Sequence, residues 1–191
     1  MSVVFAPAIA ETPFSPVSCY SMIDSGIRLT LAQEYPSAIT LFKEESRKAP
    51  ENPIFSYFLL LVYESMMIDY ESQEWEKTFD SLYETTERGF QRVLKREPKN
   101  PWGYYFLGNL YATQGIHTLR FSNYLNFTQK VFKGMRLLQK AMALDSTNLD
   151  VYLYPSLYQF AKAELFRYLP LLEEDRQEAM DRIEMIHLRS Q

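Results

Sequence analysis

The chain has 191 residues, of which 47% are hydrophobic and 23% are charged, and its formal net charge is −4. This balance is typical of a globular chain of one or two domains and excludes a disordered or collagen-like one. Only 6 glycines stand against 14 tyrosines and 13 phenylalanines, which favours helices filled by large side chains over sheets with glycine turns. Because the chain is acidic, nucleic acid is not an expected partner.

The residues that carry chemistry are sparse. One cysteine and two histidines provide neither a disulfide nor the ligands of a cysteine-based or histidine-rich metal site. The sequence has no glycine-rich phosphate loop, no Gly-x-Ser-x-Gly elbow and no His-Glu-x-x-His helix. We therefore expect that the protein is not an enzyme and that it has no catalytic residues, no bound metal and no cofactor. No apolar run approaches the roughly 18 residues of a membrane span, so none is expected.

Residues 1–18 are predicted to be a flexible leader or the remnant of an export signal. The stretch from Val3 to Ala10 ends in the small-x-small pattern that signal peptidase cuts, yet it lacks a basic start and a full apolar core. The first interpretation predicts a cytoplasmic protein. The second predicts a periplasmic protein in which residues 1–10 are the end of a truncated signal peptide.

A gapless internal repeat covers the middle of the chain. Residues 53–100 align with residues 101–148 at a constant offset of 48 positions. Asparagines and prolines mark the boundaries at the same spacing. The matched pairs include Pro53 with Pro101, Tyr57 with Tyr105, Phe58 with Phe106, Leu59 with Leu107, Tyr63 with Tyr111, Ile68 with Ile116, and the series Asn52, Asn100 and Asn148.

Within each repeat, apolar residues recur three and four positions apart. Phe55, Phe58, Leu59 and Val62 show this spacing, which indicates an amphipathic helix, whereas the alternation of a strand is absent. Prolines at the boundaries stop one helix, and Pro101 suits the first turn of the next. Each repeat is therefore predicted to be a helical hairpin.

These residues resemble the tetratricopeptide repeat (TPR) family, whose 34-residue unit has a Leu-Gly pair and a Tyr on its first helix and an Ala, a Phe and a closing Pro on its second. Residues 19–52 place Gly26, Ala38, Phe42 and Pro50 in that pattern, and the third unit supplies Leu107 and Gly108. The chain looks like the N-terminal part of bacterial TPR proteins of unassigned activity that have elongated repeats.

The resemblance implies an all-α, TPR-like solenoid of four antiparallel helical hairpins in one domain, residues 19–191. The units are 19–52, 53–100, 101–148 and 149–191. Units two and three exceed the family's unit by 14 residues each. We expect seven of these residues on each helix, which lengthens it by about 10 Å.

The family's concave surface is lined by the first helix of each repeat, and in this chain that face is apolar and aromatic. Such a groove suits a peptide or a helix of another protein. We therefore predict a non-catalytic protein-interaction scaffold. The residues expected to bind the partner are Tyr20, Ile23, Ile27, Tyr57, Leu61, Trp102, Tyr105, Asn109, Leu153 and Leu157.

Charge is separated between units two and three. Residues 64–87 contain eight acids and one base, whereas residues 98–144 contain no acid. Either the two hairpins pack with opposite charges facing, or the bases form a patch for an anionic surface. The patch would comprise Arg120, Lys130, Lys133, Arg136 and Lys140. The alternative functions are accordingly an envelope-associated assembly factor that uses this basic hairpin, or the interaction region of a longer enzyme.

Overall fold

The structure is a computed structural model that describes residues 14–119 and 124–145 together with Asp181, and in these residues it contains helices and no strand. Within residues 14–145 as far as they are described, a short 3-10 helix (Pro16–Cys19) precedes six α-helices, which hold more than half of the 191 residues. The predicted all-α class is confirmed. The helices are α1 (Tyr20–Leu31), α2 (Tyr35–Lys48), α3 (Ile54–Asp69), α4 (Glu76–Arg96), α5 (Pro101–Leu119) and α6 (Tyr124–Leu144).

The helices form three successive hairpins, in which α1 packs with α2, α3 with α4 and α5 with α6. The turns of the first two hairpins each contain a residue in the left-handed region, Gln33 with φ 60° and Glu71 with φ 48°, and such a residue redirects the chain after a helix. Helix α2 also packs against α3, and α4 against α5, so the hairpins stack into a solenoid. The predicted fourth hairpin, residues 149–191, lies outside the described residues except for Asp181.

The second and third hairpins are longer than the first, as the 48-residue repeat predicts. Helices α1 and α2 have 12 and 14 residues, whereas α5 and α6 have 19 and 21. The third hairpin therefore gains seven residues on each helix. Helix α3, with 16 residues, gains four while α4, with 21, gains seven. The remaining extra residues of the second hairpin lie in the turn between α3 and α4.

Two of the asparagines that recur every 48 positions, Asn52 and Asn100, accept hydrogen bonds from backbone N–H groups at the start of a helix. The side-chain oxygen of Asn52 accepts a hydrogen bond from the backbone N–H of Ile54 at 3.1 Å, and that of Asn100 accepts one from Gly103 at 3.0 Å. The first N–H groups of a helix have no partner within the helix, and an asparagine at this position supplies one. A backbone requirement at the helix start thus explains the recurring asparagine. Asn148 lies outside the described residues.

The N-terminal segment is part of the packed fold from Phe14 onward, which corrects the predicted boundary after residue 18. Phe14 is 2% exposed, and its ring packs edge-to-face on Phe90 at 5.6 Å and on Phe106 at 5.9 Å. Its carbonyl oxygen accepts a hydrogen bond from the Asn100 amide at 3.1 Å. A single aromatic side chain therefore attaches the segment to the second and third hairpins. Residues 1–13 lie outside the described residues.

Asn100 has two structural roles, whereas Asn52 at the equivalent position has mainly one. We expect Asn100→Ala to lower the free energy of unfolding by about 2 kcal/mol, because it removes a helix cap and a buried hydrogen bond to Phe14. Asn52→Ala removes a cap and a long contact to the sulfur of Cys19 at 3.7 Å, so we expect a loss of about 1 kcal/mol. Urea denaturation followed by circular dichroism measures both losses. Equal losses would contradict the role of the bond to Phe14.

Two glycines allow the helices of a hairpin to approach closely, as the TPR pattern predicts. A Cβ atom at Gly26 would lie 2.0 Å from the ring of Phe42 on α2. A Cβ atom at Gly108 would lie 2.8 Å from Leu138 and 3.0 Å from the carbonyl oxygen of Gly134 on α6. Real side chains do not tolerate such distances, so both glycines are explained by packing.

Candidate functional site

A pocket of about 260 Å³ opens where the N-terminal ends of α1 and α5 approach each other. All of its lining residues are apolar or aromatic, and none carries a charge. A cavity of about 150 Å³ holds a benzene ring, so this pocket has room for one large side chain of a partner. We call it the aromatic pocket; it is lined by Pro16, Val17, Tyr20, Ile23, Phe58, Trp102, Tyr105 and Phe106.

The aromatic pocket has a rigid floor and an exposed rim. Phe106 is 5% exposed, and the rings of Trp102 and Tyr105 pack on it at centroid distances of 6.2 Å and 5.0 Å. Trp102 and Tyr105 are half-buried in the first turns of α5, and Tyr20 at the start of α1 is 69% exposed. Ring contacts with Phe106 hold Trp102 and Tyr105 in place before any ligand arrives.

Four of the ten residues predicted to bind a partner lie in the aromatic pocket: Tyr20, Ile23, Trp102 and Tyr105. Ile23 is 6% exposed and forms part of the wall. Ile27, one turn further along α1, is 38% exposed, and Leu61 is half-buried against the core. The structure therefore brings residues of units one and three together across about 80 positions of sequence. Leu153 and Leu157 lie outside the described residues.

Besides Ile23, two further predicted groove residues, Tyr57 and Asn109, are buried, which corrects the expectation that they are exposed on the groove. Tyr57 is 3% exposed because the rings of Phe58, Phe90 and Phe106 surround it at 5.3 to 6.3 Å. Asn109 is 2% exposed. Neither side chain is available to a partner at the surface of this structure.

Sequence analysis did not identify Phe58, Val17 or Leu31 as surface candidates. Phe58 matches Phe106 in the repeat and belongs to the apolar helical spacing, which by itself does not place a residue at the surface. Val17, at 75% exposure, belongs to a segment that was assigned to the leader. Leu31, at the end of α1, is 79% exposed; its helical spacing from Tyr20 and Ile27 could have placed it on the same face.

Two residues of the predicted basic patch, Lys130 and Lys133, contact the second hairpin. The Lys130 ammonium donates a hydrogen bond to the Tyr83 hydroxyl at 2.9 Å. The Lys133 Nζ atom lies 3.9 Å from a carboxylate oxygen of Glu87 and 4.1 Å from the ring centroid of Tyr111. The Tyr111 hydroxyl donates to the same Glu87 carboxylate. These contacts favour the account in which opposite charges of the two hairpins face each other.

Burial changes the titration of this cluster. It lowers the pKa of Lys130, while the neighbouring Glu87 carboxylate partly opposes that effect. Burial also raises the pKa of Tyr83 and of Tyr111, and for both phenols the negative charge of Glu87 adds to the rise. Both tyrosines therefore stay neutral hydroxyl groups at neutral pH.

The other patch residues differ in their surroundings. Lys140 lies over the ring of Tyr104, with its Nζ atom 4.2 Å from the ring centroid, a cation–π geometry. Arg136 is exposed. Arg120 lies outside the described residues. The role of the patch on an anionic surface stays a prediction.

A buried pair, Glu64 and His117, links α3 to α5, and sequence analysis missed it. The Nδ1 atom of His117 lies 2.8 Å from the Oε2 atom of Glu64, and the two side chains are 3% and 9% exposed. The imidazole also stacks on Phe79 at 4.2 Å. No local pattern could reveal a pair whose members are 53 positions apart. The pair ties the second hairpin to the third inside the protein.

Membrane spans and metal clusters are both absent from the described part of the chain. None of its helices is long and apolar enough to cross a membrane. Among the same residues, no three or more histidine, cysteine, aspartate or glutamate side chains are grouped so that they could hold a metal ion.

The comparisons with known proteins concern the fold. No protein-family model and no curated protein sequence matches the chain. Among solved structures, TTC0263, a thermophilic TPR protein of Thermus thermophilus, is similar with 15% identity over 87% of this chain and 72% of that chain, at a TM-score of 0.53. A MamA fragment from Desulfovibrio magneticus is similar with 19% identity over 89% and 75%, at a TM-score of 0.41. The similarity to TTC0263 shows a TPR-like helical-repeat fold, as the resemblance predicted.

Proposed function

We propose that this chain, which has the fold of a TPR-like helical solenoid, is a non-catalytic scaffold that holds another protein in its apolar groove. The observation that carries the proposal is the aromatic pocket, where the exposed side chain of Tyr20 and the half-buried rings of Trp102 and Tyr105 line one opening. Exposed aromatic groups gathered around an opening usually mark an interaction site.

The chemistry of the pocket supports binding in preference to catalysis. Its eight lining residues include no carboxylate, imidazole, thiol or amine, the groups that act as acids, bases or nucleophiles in most enzymes. The groove also forms part of a packed solenoid, so little conformational entropy is lost at the site when a peptide or helix binds. The partner is therefore expected to insert one large apolar side chain.

The alternative function, contact of the basic hairpin with an anionic surface, receives less support from the geometry. Lys130 and Lys133 already contact Tyr83 and Glu87 of the second hairpin. If these two lysines bound a surface of phosphate groups, their contacts with the second hairpin would have to break, or each ammonium group would have to bind both partners at once. An apolar partner at the aromatic pocket can bind without breaking any ion pair of the pocket, because the residues that line it carry no charge.

Substitution of the pocket rim tests the proposed function. We expect Trp102→Ala and Tyr105→Ala to weaken binding of a co-purified partner by about 2 kcal/mol or more at the stronger anchor, because hot spots of interfaces are enriched in these residue types. Thermal stability should change little, since both rings are partly exposed. Isothermal titration calorimetry and thermal melts provide the two measurements.

Tyr57→Ala is the matched control, because Tyr57 occupies the position of Tyr105 in the preceding repeat but is 3% exposed. It is expected to destabilise the fold without removing a side chain that lines the pocket. A partner that binds the Trp102→Ala and Tyr105→Ala double variant as tightly as the parent chain would show that the pocket is not the binding site.

A further inference from the structure

The N-terminal segment forms part of the wall of the aromatic pocket. Pro16 and Val17 both line the pocket. Two residues before Pro16, the Phe14 ring packs at 5.9 Å on Phe106, which is the floor of the same pocket. Trp102, another lining residue, also packs on Phe106, at 6.2 Å. Phe14 and Trp102 thus share one neighbouring ring, and the chain immediately before Phe14 starts beside the pocket.

Residues 3–10 match the aromatic pocket in chemistry. They contain no charged side chain, and Phe5 is their one aromatic residue. The residues that line the pocket carry no charge either. An apolar side chain that enters such a pocket gains about 25 cal/mol per Å² of apolar area buried, and it removes water from no charged group. Phe5 therefore suits the pocket in both size and polarity.

A second pocket of about 260 Å³ also borders Phe14, but its chemistry is different. Its lining includes Glu51, Arg96 and Glu97, and a carboxylate oxygen of Glu51 lies 3.0 Å from a guanidinium nitrogen of Arg96. An apolar segment that covered this pocket would take water from charged groups without offering them a hydrogen bond. Residues 3–10 are therefore expected to prefer the aromatic pocket.

The linker between Phe5 and Phe14 is long enough for Phe5 to reach the pocket. Eight residues lie between them, and a stretch of this length spans up to about 30 Å when extended. The entropic cost of closing a loop grows only with the logarithm of its length. Pro7 and Pro13 reduce the conformational freedom that the linker loses on docking. Short flexible linkers give an effective concentration of about 1 mM.

We propose that Phe5 inserts into the aromatic pocket of its own chain, so that residues 3–10 occupy the site until a partner displaces them. The inference concerns the regulation of that site and therefore rests on the proposed function. With an effective concentration of about 1 mM and an intrinsic dissociation constant of about 0.1–1 mM, the segment lowers the apparent affinity for the partner about two- to tenfold. The segment acts as an intramolecular competitor of the partner.

Tryptophan fluorescence tests this contact in the full chain. The sequence contains two tryptophans, and Trp75→Phe leaves Trp102 at the pocket as the only one. In this background, Phe5→Asp should shift the Trp102 emission to longer wavelength, because an uncharged pocket does not accept a carboxylate and water replaces the Phe5 ring. A synthetic peptide of residues 3–10 with blocked ends should reverse the shift at about 0.1–1 mM.

Thr12→Asp is the matched control, because it adds the same charge to the linker beside Glu11, where a carboxylate is already present. It should leave the Trp102 emission unchanged, and circular dichroism should show the same helix content in both variants. An emission that Phe5→Asp does not change, whether or not the added peptide binds, overturns the inference. An emission that changes with protein concentration from about 1 to 100 μM would mean that a second copy fills the pocket, and it would overturn the inference as well.

Affinity for the co-purified partner separates the inference from the proposed function. Phe5→Asp should tighten partner binding about two- to tenfold by isothermal titration calorimetry, whereas Trp102→Ala should weaken it. If Trp102→Ala weakens partner binding but Phe5→Asp changes neither the emission nor the affinity, the inference is wrong and the proposed function stands. If Phe5→Asp shifts the emission and the peptide reverses the shift, while Trp102→Ala leaves partner binding intact, the segment occupies the pocket and the partner binds elsewhere.

Discussion

Phe14→Ala is expected to lower the free energy of unfolding by about 3–5 kcal/mol, the range found when a buried phenylalanine is truncated. The Phe14 ring packs edge-to-face on both Phe90 of α4 and Phe106 of α5 and is 2% exposed. Its removal leaves a cavity lined by two rings that cannot both move inward, since they also stack on each other at 5.8 Å. Urea denaturation followed by far-ultraviolet circular dichroism measures the loss.

Val17→Ala is the matched control for Phe14, because it truncates another apolar residue of the same segment whose side chain is 75% exposed. It should change stability by less than about 0.5 kcal/mol, as surface substitutions do. If Phe14→Ala is equally mild, the segment is not anchored to the hairpins, and the domain begins near residue 19 as the sequence alone predicted.

Gly134→Ala is expected to cost about 2–3 kcal/mol, because the new methyl group meets backbone and not a flexible side chain. A Cβ atom at Gly134 would lie 2.7 Å from the carbonyl oxygen of Gly108 and 3.3 Å from the backbone nitrogen of Ala112. Helix α6 would have to move away from α5, and the Leu138 side chain packed against Gly108 would move with it. The gain in helix propensity from glycine to alanine, about 1 kcal/mol, offsets part of the cost.

Gly103→Ala separates the clash from the general effect of replacing a helical glycine. A Cβ atom at Gly103 would meet the end of the Leu94 side chain at 2.8 Å, and that end can rotate away. We expect its stability to stay within about 1 kcal/mol of the parent, since the small strain and the gain in propensity oppose each other. Thermal melts of the two variants make the comparison. If Gly134→Ala lowers the stability no more than Gly103→Ala does, the backbones of α5 and α6 are not packed as closely as the structure indicates.

Most of the fold could be predicted from the internal repeat. Matching positions 48 residues apart, such as Asn52 and Asn100, mark helix starts because the capping requirement is local to each unit. The extra residues on α5 and on α6 follow from the length of the unit. Gly26 and Gly108 occupy the glycine position of the TPR pattern, and both lie where the two helices of one hairpin approach closely.

The candidate site was only partly predictable, and Tyr57 and Tyr105 show why. They occupy the same position in consecutive repeats, and the sequence assigned both to the groove. Tyr57 is buried because Phe90 and Phe106, which lie far along the chain, pack against its ring. Tyr105 remains half-buried at the rim of the aromatic pocket. Which faces of a repeat are covered depends on the neighbouring repeats. Two repeats with the same local pattern can therefore differ in which of their side chains are buried.

The sequence by itself determined the helical class, the hairpin repeat and the start of α5 at Pro101, because these depend on contacts within one helix or one hairpin. Tertiary structure alone decided that Phe14 belongs to the core, that Glu64 meets His117, and that Lys130 and Lys133 turn toward the second hairpin. Each of these contacts joins residues that are distant in sequence. Their formation depends on how the hairpins stack, and stacking is set by the summed packing of many side chains, which no local spacing records.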